Sequence, residues 1–275
     1  MNSIFEAAGA CLRAASPDDK LALTFATAEA FSRGELAIDD SAPPPEPIRM
    51  PGRPALPKLV ASRELPKRGF GTDEGRAAFI HSIAHIEFNA IDLAWDAAYR
   101  FRGMPRQFYA DWVGVASDEA RHFAMLRARL AEFGYAYGDF DAHNGLWEMA
   151  EKTAHSGLER MALVPRVLEA RGLDVTPAMI VKLRQHRDDA TADILEVILR
   201  EEVGHVAAGS HWFRWYCERE GVDPEPTFRR LIADYGRGVL HGPFNLDARS
   251  AAGFSDDELA ALQAQAAMNQ AVRGY

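Results

Sequence analysis

Cysteine is scarce. Among 275 residues only Cys11 and Cys217 are thiols, far apart and with no Cys-x-x-Cys pair. That argues against a disulfide framework or a thiolate zinc site and fits a reducing cytoplasm. Long apolar runs are missing too, so no membrane span is expected. The first fifteen residues carry acidic Glu6 and no basic run ahead of their apolar positions, which reads as a helix of the mature protein and not as a leader. Positive charge is in deficit: Lys and Arg total 31 against 40 Asp and Glu, a net charge of −9. Broad binding to nucleic acid or to an anionic membrane is thereby disfavoured. Two-residue alternation is also lacking, which leaves helical periodicity as the organising signal and an all-α fold class. With 48% hydrophobic residues the chain can still bury a sizeable core.

Proline is concentrated instead of scattered. Pro43, Pro44, Pro45, Pro47, Pro51, Pro54, Pro57 and Pro66 rule out a continuous helix across residues 41–69. Ile48, Met50, Leu56, Leu59 and Val60 among them suggest an extended arm lying on the body, with a free linker as the other reading. Ahead of it, residues 1–34 read as two short helices, divided at Ser16-Pro17 and stopped by Gly34. Long helices are expected from Thr72 or Asp73 to about Arg102, from about Pro105 to Phe133, from about Leu146 to Arg171 with an end near Gly172, and from about Asp189 to Glu220. A short helix restarts at Thr176-Pro177, another lies near 225–236, and a last one is capped by Ser255 with Glu258 at capping-box spacing. The division is then an N-terminal part, 1–70, a four-helix bundle, 71–222, and a C-terminal helical extension, 223–275.

The second and fourth long helices each carry Glu-x-x-His, as Glu119 with His122 and Glu202 with His205. Positions three apart share a helix face, so one carboxylate and one imidazole can reach one metal ion. Spacing alone is weak evidence; the neighbours add the weight. Trp112, Val115, Ala116, Phe123, Leu126 and Leu130 surround the first pair, and Leu195, Ile198, Leu199, Val206, Gly209 and Phe213 the second. Charged groups in the middle of apolar stripes need a positive partner, because burying an unpaired carboxylate is expensive. Glu87 stands the same way on the first long helix, and lies as far before the Gly103 turn as Glu119 lies after it. The third helix offers Glu159 and Glu169. The Glu169 face is the more apolar, and Glu169 precedes Glu202 by 33 residues where Glu87 precedes Glu119 by 32, so a pseudo-repeat favours it. Its nearness to Gly172 counts against it, and both candidates stay open.

Four glutamates and two histidines on four helices form the pattern of carboxylate-bridged di-iron and di-manganese bundles. Here the chain resembles the ferritin-like superfamily. More narrowly, the stretches HIEFNAIDLAWD, DEARHF, RMALVPRVLEARGLDVTP and LREEVGHVAAGSHWF are similar to the ferritin-like family called domain of unknown function 455, over most of residues 70–260. A looser similarity to ferritin-like tRNA hydroxylases favours the Glu159 surroundings, LERMALVP. The resemblance implies two iron ions, with manganese as the other choice, and dioxygen activation that oxidises or hydroxylates an unidentified organic substrate. Oxygen and imidazole donors suit those metals, and the lack of thiolates argues against an iron–sulfur cluster. Glu119 and Glu202 are the candidates for bridging both ions, Glu87 and Glu169 for terminal ligands, and His122 and His205 for one ligand each. A ferroxidase or storage protein and a non-catalytic bundle are the competing functions. Aromatic clusters near 212–216 would permit a homodimer.

The remaining polar residues receive plainer readings. His81 and His85 flank Glu87 and read as packing histidines ahead of donors to the carboxylates; His155 and His211 likewise. His143, His186 and His241 fall in loop-like stretches, and Asp92, Asp96 and Asp118 read as charges on helix surfaces.

Overall fold

Small hydroxyl side chains decide where the helices begin. In the computed structural model, which describes residues 2–39, 41–66, 69–235 and 242–273 (side chains to residue 264), Ser3, Ser16, Thr72 and Ser156 each accept a backbone N–H from the first turn they cap. The chain divides into two units, Met1–Glu151 and Lys152–Tyr275. His241 lies outside the described residues.

The first unit holds α1 (Ile4–Arg13), α2 (Pro17–Ser32), α3 (Asp73–Arg100), α4 (Arg106–Glu132) and α5 (Gly145–Lys152). The α3–α4 hairpin turns at Gly103, whose φ of +66° suits glycine. Its helices pack along their length, α1 covering α3 and α2 covering α4. Aromatic pairs set the antiparallel register: Phe101 meets Phe108 at 6.4 Å between ring centroids, and Phe88 meets Phe123 at 5.1 Å. The proline-rich stretch is an arm lying on this unit. Gly52 donates to Leu12 O at 2.6 Å, and its Cα comes so close to Arg13 that a Cβ there would lie 2.2 Å from the Arg13 carbonyl oxygen. Val60 donates to Ala142 O at 2.8 Å, and Trp147 Nε1 donates to Arg49 O at 2.8 Å.

The second unit holds α6 (Gly157–Leu163), a π-helical turn (Val164–Glu169), α7 (Ala170–Gln185), α8 (Asp189–Glu220), α9 (Pro224–Tyr235), α10 (Leu246–Ala251) and α11 (Asp256–Arg273). Helix α8 stops at Gly221 in a left-handed cap, φ +67°. Ser255 and Glu258 make the reciprocal capping box, Ser255 N donating to Glu258 Oε2 at 2.9 Å and Glu258 N to Ser255 Oγ at 3.2 Å.

The third long helix departs from its expected course twice. It is broken before Ser156-Gly157, where Gly157 lies against the Tyr216 ring so closely that a Cβ would sit 2.2 Å from it. It then runs through Gly172 and Pro177, with no end and no restart there. A helix tolerates glycine at about 1 kcal/mol, but an interior proline frees the carbonyl four residues earlier. That carbonyl is Leu173 O, and Asn245 Nδ2 donates to it at 3.1 Å.

Among the described residues there is no strand, only two isolated bridges, so the fold is all-α. No described helix is long and apolar enough to cross a membrane.

Candidate metal centre

In the first unit, the α3–α4 register brings Glu87 level with the Glu119–His122 turn. All three side chains are buried, Glu87 to 4% exposure and the other two to 0%. Each offers a ligand atom within 4.8 Å of the others. His122 Nδ1 lies 3.1 Å from Glu87 Oε2 and 3.4 Å from Glu119 Oε2. Burial alone would lower the pKa of this imidazole. The hydrogen bonds and charges of Glu119 and Glu87 outweigh burial and carry it up to about 11. A proton on His122 therefore offsets carboxylate charge when no metal does so. Two carboxylates and an imidazole in a dry setting could hold a metal ion.

The surroundings are packed aromatics. Phe88 and Phe123, next in sequence to Glu87 and His122, both contact Tyr137, at 5.3 and 5.0 Å. The Tyr137 hydroxyl shares a 2.8 Å hydrogen bond with His85 Nδ1. His81 Nε2 accepts from Gly138 N at 2.9 Å. Both histidines thus fasten the 134–144 loop. Asp92 and Asp96 are buried, at 1% and 0%, contrary to the expectation of surface charges. Asp92 pairs with fully buried Lys20 of α2, and Asp96 with Arg100 one turn on at 2.6 Å. Sequence reading missed Lys20, whose helix is otherwise half polar; only the absence of a nearby acidic i±4 partner hinted that it would turn inward. Asp118 does sit at the surface, 2.9 Å from Arg121.

In the second unit, Glu202 and His205 are buried on α8, with His205 Nδ1 3.6 Å from Glu202 Oε1. Three contacts fix the register of the preceding helix against α8. Gly157 meets Tyr216, Pro165 meets Gly209, and Arg166 Nε donates to Ser210 Oγ at 3.1 Å. The two run antiparallel, so Glu169 comes level with His205 and Glu159 with Trp215. Along α8 that separates the candidates by about 15 Å, at the α-helical rise of 1.5 Å per residue. Glu169 is half-buried at the end of the π-helical turn. Glu159 has His155 Nε2 at 3.3 Å, and the Tyr235 hydroxyl bonds to it. His211 is exposed, its ring edge-on to that of its neighbour Trp212 at 4.7 Å.

Residues 13–260 match the family model described as "Protein of unknown function (DUF455)". A Haemophilus influenzae protein described as uncharacterized is 50% identical over 213 residues, which cover 75% of this chain and 74% of the relative. No solved structure matches. A match running from the end of α1 into α11 takes in every candidate ligand together with the arm that covers the first unit, and the chain belongs to the DUF455 family.

Proposed function

We propose that this chain is a ferritin-like dinuclear metal protein in which Glu87, Glu119, His122, Glu169, Glu202 and His205 hold two iron ions, and that it activates dioxygen to oxidise or hydroxylate an organic substrate. The observation that carries the reading is the buried Glu87–Glu119–His122 cluster, with the same residue types repeated, in the same order, on the helices of the second unit. Register supports Glu169 over Glu159, since only Glu169 is level with the α8 pair. Manganese suits the same donors.

Glu87, Glu119, Glu169 and Glu202 would supply the carboxylate ligands, and His122 and His205 one imidazole to each ion. Four carboxylates neutralise two divalent charges, which lets the centre sit in an apolar interior. His122 must give up its Nδ1 proton to coordinate, so uptake of the cation releases a proton and strengthens as pH rises. The Phe88, Phe123 and Tyr137 rings exclude water from that side. When bound and reduced, a pair of iron ions supplies the electrons that dioxygen needs. The same ligands would serve iron handling, either ferroxidase or storage, and a single experiment separates the two.

Protein from its native host should contain up to two iron or manganese ions per chain by elemental analysis, and Glu119→Ala with Glu202→Ala should contain none. Full metal content in that double variant rules the site out. Anaerobic iron loading followed by oxygen should stop at two ions per chain with an oxygen-dependent optical change. Many ions per chain would point to storage instead, and no optical change to a structural metal.

A further inference from the structure

The two halves share more than their ligands. Glu87 is followed five residues later by Asp92, and Glu169 five residues later by Asp174, each aspartate preceded by a branched aliphatic residue, Ile91 or Leu173. Both aspartates are buried, and each is tied to a basic side chain that is itself completely buried. Asp92 pairs with Lys20 of α2, which also donates to Cys11 O at 3.2 Å. Asp174 is gripped by Arg249 of α10, whose Nε and Nη2 donate to its two oxygens at 2.9 and 2.7 Å, and Asn245 N adds a third bond at 3.0 Å. In both units the cation comes from an element that carries no candidate ligand: α2, which packs on α4, in the first unit, and α10, which touches α7, in the second.

Five α-helical residues span about 7.5 Å and turn the side chain by about 140°. The aspartate therefore leaves the helix on the flank away from the glutamate. A bond there stops the helix from rolling, and the roll angle is what aims the glutamate. A buried ion pair is a poor way to gain stability: apolar side chains of similar volume are often as good or better. It does define one orientation, because only one roll angle brings the charges together.

We propose that Lys20–Asp92 and Arg249–Asp174 are matched positioning pairs that set the aim of Glu87 and Glu169 toward the metal. The inference rests on those two glutamates being ligands.

The test replaces each pair by apolar residues, Lys20→Met with Asp92→Leu and Arg249→Met with Asp174→Leu. Thermal midpoint and anaerobic Fe(II) titration are read on the full chain. Both double variants should melt near or above wild type yet bind Fe(II) at least tenfold more weakly. If they fold and titrate like wild type, the positioning role is wrong. Should a double variant fail to fold, Asp92→Asn or Asp174→Asn takes its place with the same expected loss. Arg100→Met with Asp96→Leu removes a buried pair on α3 that stands outside the pattern, and should leave Fe(II) affinity at the wild-type level. Equal weakening there would make the effect generic and overturn the proposal. Wild-type protein that takes up no Fe(II) defeats the ligand reading itself, and does so before any variant is made.

Discussion

The two units present the same residue types on helices of different regularity. In the first, α3 is one unbroken α-helix of 28 residues, and Glu87 reaches its level by simple hairpin arithmetic. In the second, the corresponding helix starts at Ser156, passes through a π-helical turn and continues across a proline, with Glu169 at the seam. A π-helical turn takes in an extra residue, so faces before and after it fall out of phase, and such turns are frequent at functional sites. The difference teaches what each half depends on. Glu87 is aimed by helix periodicity and one buried pair. Glu169 is aimed by contacts from Gly209, Ser210, Asn245 and Arg249, four positions distant in sequence.

Metal content breaks or sharpens that comparison most strongly. Glu87→Ala and Glu169→Ala should each cut bound metal by about half or more in elemental analysis, while Glu159→Ala should keep the wild-type amount. If Glu159→Ala loses metal and Glu169→Ala does not, the two halves are not equivalent and the register argument for Glu169 fails.

Packing at the seam comes next. A Cβ on Gly209 would lie 2.3 Å from Pro165, inside the closest approach of real atoms. Gly209→Val should destabilise the second unit by about 3 kcal/mol, the upper part of the usual overpacking range. Thermal melts followed by tryptophan fluorescence check this, since Trp212 lies one turn away on α8. A wild-type melt would mean that the π-helical turn is free to move off α8.

How much of this was legible beforehand follows the same divide. Caps, glycine stops and the two Glu-x-x-His pairs are local signals, and they placed α2 to α4 and α8 to within about two residues of their observed ends. The cluster of Glu87, Glu119 and His122 was likewise readable, because a regular hairpin converts sequence distance into height. The course of α7 was not. Gly172 and Pro177 are read locally as breakers, and the donor that lets the helix continue, Asn245, lies about seventy residues on. Asp92 and Asp96 were misread for a related reason. A charged residue on a helix is by default a solvated one, and nothing adjacent announces that Lys20 will be buried opposite.

Acid should separate the units more gently. His81 of the first unit is wholly buried, and desolvation lowers its pKa from 6.5 to about 4. Its Nε2 accepts from Gly138 N, so it must stay neutral to keep the 134–144 loop in place. A pKa lower in the folded than in the unfolded state means that the stabilising contribution is complete above pH 6.5 and shrinks as pH falls toward 4. At pH 5 the loss is about 2 kcal/mol. His81→Gln should flatten this dependence in melts between pH 7 and 5, and an unchanged pH slope would show that His81 takes no part.

The smallest effect concerns where the two ligand helices start. Thr72 Oγ1 caps α3 and Ser156 Oγ caps α6, and replacing either with alanine costs about 1 kcal/mol of helix stability. The consequences should differ. Helix α3 has four turns between Thr72 and Glu87, so fraying at its start dies out long before the site. Helix α6 is seven residues long and leads straight into the π-helical turn, so its first turn has little regular helix to buffer it. Amide hydrogen exchange should rise over residues 73–77 alone in Thr72→Ala. In Ser156→Ala it should rise from 157 through the π-helical turn to Glu169. Equal, local fraying in both would mean that the irregular helix is held from its far end, by the bonds that Asn245 and Arg249 make to Leu173 and Asp174.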